Sequence, residues 1–160
     1  MEDQKRILIL GIGNLLLKDE GIGIHVVNKL KDMVLPPYVE VVDGGTLSNY
    51  FIQIIEGREK IIVIDAIRAD GLPGTIYRLT GNDIENKRKG YFRTVFEQEF
   101  TDALKTTYIL GNQPEEVVYI GVEPEDTGEI SLMLEIGLSP TIEKRIPEII
   151  EMVMKEIEEK

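Results

Sequence analysis

The sequence predicts an α/β fold: a twisted, mostly parallel five-stranded sheet with helices on both faces and one antiparallel edge strand. Three uninterrupted apolar runs, Ile7-Leu8-Ile9-Leu10, Ile61-Ile62-Val63-Ile64 and Val117-Val118-Tyr119-Ile120, have the character of strands buried on both sides. Segments with helical spacing alternate with strands, an order that a parallel sheet with crossover helices explains. The 160 residues fit a single domain, residues 1–160, and leave no room for a separate substrate domain.

The first strand ends at Gly11, and a glycine-containing loop leads to a helix whose apolar stripe is Ile22, Val26, Leu30 and Met33. Asp19 is expected as its N-cap, with Glu20 in the first turn, and Pro36-Pro37 stops it. A second strand, Val39 to Val42, ends at Asp43-Gly44-Gly45. Thr46 or Ser48 would cap a second helix running to Gly57, with Phe51, Ile54 and Ile55 facing inward. The third strand ends at Asp65. Only a short loop through Gly71 and Pro73-Gly74 joins it to the strand at Thr75 to Leu79, which is therefore expected to be antiparallel and at an edge. Residues 81–97 are polar and give no clear element, and Phe100 to Leu110 reads as a helix closed by Gly111. Ser139-Pro140 starts a short turn, and Pro147 delays the main C-terminal helix to about residue 146. The C-terminal segment as a whole would carry Ile142, Ile146, Ile149, Ile150, Val153, Met154 and Ile157 on one inner face.

Lys and Arg number 18 against 29 Asp and Glu, a formal charge of −11. That balance opposes a broad nucleic-acid interface and an anionic membrane surface. No apolar run is long enough for a membrane span, so the expectation is a cytoplasmic protein. The absence of cysteine excludes thiolate metal sites, disulfides and a Cys nucleophile, and one histidine leaves little for a zinc site. That residue, His25, lies about 140° around a helix from Glu20. It shares a face with Asn28, Lys29 and Asp32, so it is expected at the surface.

Ligands of open α/β sheets sit beyond the carboxyl ends of the strands, which collects Asn14, Asp19, Glu20, Asp43, Asp65 and Glu123. Asp65 follows four apolar residues, so its carboxylate emerges from a rigid strand tip. It would serve as a ligand or catalytic group, or accept backbone N–H bonds of the next loop. Glu20 either favours the positive end of the helix dipole or joins Asp65 in one cleft. Two carboxylates there imply a divalent cation or a proton-sharing pair. An aspartic-type pair of Asp43 and Asp65 is a further arrangement, with no motif behind it. Gly11-x-Gly13 resembles the opening of a dinucleotide fingerprint, with Asp43 where a ribose-binding acid would sit. However, Leu16 holds the third glycine position and the helix starts late, so no nucleotide is expected.

Taken together, Gly11-x-Gly13-Asn14 to Leu16, Asp19-Glu20-Gly21-x-Gly23, Asp43-Gly44-Gly45-Thr46, Asp65-Ala66-Ile67, Pro73-Gly74-Thr75, Gly121-Val122-x-Pro124-Glu125 and Gly137-Leu138-Ser139-Pro140-Thr141 resemble the hydrogenase maturation endopeptidases. The set runs in family order over nearly the whole chain, with 81–100 poorly matched. The resemblance implies an endopeptidase that removes a C-terminal extension from the nickel-loaded large-subunit precursor of a nickel-iron hydrogenase, the nickel arriving with the substrate. It places the family's glutamate on Glu20 and its strand-tip aspartate on Asp65, as catalytic and metal-contacting residues. The family's third ligand, a histidine, falls on Phe96, beside Glu97 and Glu99. Glu97 is taken as the replacement, with Glu99, the substrate or water as other sources and an altered metal recognition as the remaining alternative. Imidazole suits nickel, whereas an all-carboxylate site suits harder ions. A non-catalytic assembly factor of the same fold and a small nucleotide-binding module are the competing expectations.

Overall fold

The computed structural model describes residues 6–45, 50–81, 83, 97–127 and 137–158. Its strands are β1 (Ile7–Ile12), β2 (Val39–Gly45), β3 (Lys60–Ala66), β4 (Ile76–Thr80) and β5 (Glu116–Val122). They form one sheet in the order β2-β1-β3-β5-β4. The first four neighbours pair in parallel, and β4 lies antiparallel to β5 at the edge, as the short connection after β3 requires.

The apolar runs are buried on both faces because consecutive side chains point to opposite sides of the pleat. In β1, Ile7 and Ile9 face a layer made by α1 (Ile22–Lys31) and the C-terminal helices. Leu8 and Leu10 face the layer of α2 (Phe51–Ile55) and α3 (Glu97–Leu110). In that second layer Phe100 packs edge-on to Phe51 and Tyr119, with ring centroids 6.1 and 5.9 Å apart. The C-terminal pieces are α4 (Pro140–Glu143) and α5 (Ile146–Glu158), broken where Pro147 predicts. Ile142, Ile146, Ile149, Val153 and Ile157 are buried from them, with Ile150 and Met154 half-buried.

Several elements differ from expectation. Helix α1 begins after Gly21, not after Asp19, and ends before Met33, which is exposed. Its buried face also takes Ile24 and Val27. Helix α2 ends at Ile55, and Gly57 turns the chain with φ +68°. Helix α3 starts at Glu97, earlier than Phe100. The proposed caps Thr46 and Ser48 lie outside the described residues.

Candidate active site

The strand order reverses between β1 and β3, since β2 lies on the other side of β1, and this is where an open α/β sheet leaves a crevice. Gly23 closes its floor. A Cβ there would stand 2.2 Å from the Ile64 carbonyl oxygen and 2.4 Å from that of Ile12, so α1 starts directly against the ends of both strands. Glu20, three residues upstream, is thereby carried toward the tip of β3.

The loop before α1 is a 3-10 segment, Leu15–Gly21, folded back on itself. Asn14 Oδ1 accepts from the Leu16 N–H at 2.9 Å, and the Asn14 N–H donates to the Glu20 carbonyl at 3.2 Å. Gly13, at φ +140°, lies so close to the Glu20 carbonyl that a Cβ would be 2.0 Å from its oxygen. Only glycine fits there. Gly11 is equally tight, a Cβ there lying 2.4 Å from the Gly23 carbonyl oxygen, so the Gly11-x-Gly13 pattern serves close packing.

Asp19 is fully buried and is not a helix cap. Its carboxylate accepts from the N–H groups of Glu125, Asp126 and Ser139 at 3.0, 2.8 and 2.8 Å, and from Ser139 Oγ at 2.7 Å. It therefore ties the β1 loop to the loop after β5 and to the start of α4. Ser139 correspondingly spends its hydroxyl on Asp19 and makes no side-chain cap. Lys18, at φ +47°, adds an ion pair to Asp126 at 3.0 Å.

Glu20 is 5% exposed, with Oε1 3.3 Å from Arg68 Nη2. Burial pushes its pKa up; the Arg68 hydrogen bond and charge oppose that, and the nearby Asp19 charge adds to it. Arg68 also donates to Thr127 Oγ1 at 2.6 Å. Asp65 is 1% exposed near the end of β3, with Oδ1 accepting from the Ala66 N–H at 2.8 Å. Arg68, three residues past Asp65 in the loop after β3, reaches Glu20 and so joins that loop to the one before α1.

The remaining candidates lie elsewhere or do other work. Asp43 is half-buried on β2 opposite Gly11, and with β1 between, it stands about 10 Å from β3, too far to share a proton with Asp65. Glu123 is buried and holds the loop after β3, accepting from the N–H groups of Ala69 and Gly71 at 3.0 and 2.6 Å and from Tyr77 OH at 3.0 Å. Burial and the Glu123 hydrogen bond and charge push Tyr77 up to about 12. His25 is not a free surface residue. It is half-buried, Nε2 has no hydrogen-bond partner among the described residues, and desolvation lowers its pKa against the charge of Glu143.

Glu97 opens α3, with its side chain outside the described residues, and Glu99 is exposed. Among the described residues no three acidic or histidine side chains form a metal-holding group. The crevice thus offers two hard oxygen donors, which fit a cation whose other ligands come from elsewhere. Reading from the sequence missed Arg68 and Thr127; the available signal was an arginine one short turn past a strand-tip acid.

A family model for hydrogenase maturation proteases, HycI, matches residues 24–156. The Hydrogenase 2 maturation protease of Escherichia coli K12 is 34% identical over 160 residues, covering 96% of this chain and 92% of that protein. The solved structure of the hydrogenase maturating endopeptidase HybD from E. coli superimposes with a TM-score of 0.83 at 33% identity, covering 96% and 93% of the two chains. The NiFe hydrogenase maturation protease HybD from Thermococcus kodakarensis gives a TM-score of 0.76 at 26% identity, covering 94% and 97%.

Proposed function

This chain belongs to the hydrogenase maturation protease family, and from that premise we propose that it is the endopeptidase removing the C-terminal extension of a nickel-loaded nickel-iron hydrogenase large-subunit precursor. The observation that carries the reading is that Glu20 and Asp65, two buried carboxylates, come from the loop after β1 and from the end of β3, neighbouring parallel strands at the point where the strand order reverses. Two buried carboxylates cost desolvation that a single, half-exposed guanidinium on Glu20 offsets only in part, so such a pair favours a cation delivered to it.

In this reading nickel is part of the substrate. Glu20 and Asp65 contact it, Glu97 stands in for the family's histidine, and the precursor supplies the remaining ligands. An unloaded precursor brings no cation and is held poorly, which makes cleavage follow metal insertion. The nucleophile is water, because the chain has no cysteine and its one histidine lies half-buried on α1. Leu16 and Leu72, 50% and 80% exposed in loops leaving the same edge of the sheet, offer apolar surface to an extended peptide.

Purified nickel-loaded precursor is the test substrate. Wild-type protein should release the C-terminal peptide, and Glu20→Ala and Asp65→Ala should each lose at least about a hundredfold in rate, the usual scale for a group contacting the reacting centre. Undiminished cleavage by both variants would overturn the site. Tight precursor binding by the wild type without peptide release would instead point to an assembly factor.

A further inference from the structure

Arg68 is the cation that the structure sets directly against Glu20. Its guanidinium stands 3.3 Å from Glu20 Oε1, and the Glu20 side chain is only 6% exposed while that of Arg68 is 51% exposed. The carboxylate is therefore fixed inside the crevice and its partner covers it from the solvent side. A second bond, 2.6 Å to Thr127 Oγ1, tethers the guanidinium at the rim through a different loop. A divalent cation that binds Glu20 Oε1 from solvent meets the position that Arg68 holds. Two cations cannot share one carboxylate oxygen at contact distance without strong repulsion.

We propose that Arg68 is a built-in counter-cation that occupies the metal position beside Glu20 and must be displaced by the incoming divalent ion, so that it sets how strongly the crevice competes for metal. This rests on the metal-contacting role assigned to Glu20 above. In the unliganded chain Arg68 offsets the buried charge. When the ion arrives, the guanidinium leaves Glu20, retains Thr127, and turns its donors toward the peptide that carries the ion. The crevice then resists adventitious ions and yields to one presented at high local concentration by a docked substrate.

The test is direct binding of Ni2+ alone to the purified chain, measured by titration calorimetry, with no cleavage involved. Arg68→Gln and Arg68→Ala should bind Ni2+ roughly three- to tenfold more tightly than wild type, the effect of removing one partly solvent-screened ion pair. Arg68→Lys, which keeps the charge, should stay closer to wild type than either. Equal or weaker binding by Arg68→Gln would overturn the proposal, as would equal tightening by Arg68→Lys, which would make bulk the cause. Glu20→Gln separates this failure from that of the underlying reading. Unchanged Ni2+ binding by Glu20→Gln, or no binding by Arg68→Gln, would overturn the metal-contacting role and the counter-cation together.

Discussion

Glu20 is held where a carboxylate is poorly solvated, which makes it a source of instability that the proposed function would require. Its folded pKa is raised by burial, so the folded chain favours the protonated form more than the unfolded chain does. The stability this brings is complete below the unfolded pKa and is lost as pH rises through the folded one. Glu20→Gln, which mimics the protonated form, should therefore raise the calorimetric Tm at pH 7 by a few degrees while abolishing cleavage, and the gain in Tm should shrink toward pH 4. Asp19 shows the opposite balance. Asp19→Ala would orphan three backbone N–H groups and the Ser139 hydroxyl, and should cost roughly 2–4 kcal/mol in urea unfolding. The neighbouring roles of these two acids were only half legible in the chain. Asp19-Glu20 before an apolar stripe has the local form of a helix start, and nothing local reveals that residues 125, 126 and 139 converge on Asp19.

At the scale of elements, the start of α1 is set by two glycines that admit backbone contact. Gly23→Ala would drive a methyl into the Ile12 and Ile64 carbonyls, shift α1 away from the strand ends and carry Glu20 with it. A stability loss of about 2–3 kcal/mol together with a fall in cleavage rate is expected. The opposite end of β3 is joined to α5 and β4 by charge. Lys60 Nζ donates to Glu156 Oε2 at 2.8 Å and to its carbonyl at 2.9 Å, and Arg78 Nε bonds Glu156 Oε1. Burial alone would raise the Glu156 pKa, but Arg78 and Lys60 together hold it below the ordinary glutamate range. Its contribution is thus complete above the unfolded pKa and lost as pH falls through the folded one. Glu156→Ala should cost roughly 3–5 kcal/mol by removing the buried carboxylate that Lys60 and Arg78 share, whereas the Lys60→Met/Glu156→Leu pair should recover most of that loss and flatten the acid limb of a Tm-against-pH curve. The strands were legible because apolar tetrads bounded by glycine or aspartate leave little alternative. The Lys60–Glu156 pair was not, since a lysine after Gly57-Arg58-Glu59 and a glutamate in an acid-rich helix both look solvated until the tertiary fold brings them together.

For the whole molecule, two apolar layers sandwich the sheet and leave its carboxyl edge to loops that carry the polar residues and little of the core. That division explains why fold and site were unequally readable. Layers follow from periodicity within each segment, whereas the crevice depends on the strand order that sets β1 beside β3, and its guanidinium comes from a loop with no pattern of its own. In the proposed function the buried carboxylates Glu20 and Asp65 recognise the cation. The most direct measurement compares nickel-loaded and nickel-free precursor under identical conditions, following release of the C-terminal peptide by mass spectrometry. The account predicts prompt release from the loaded form and little or none from the nickel-free form; equal release from both would contradict it.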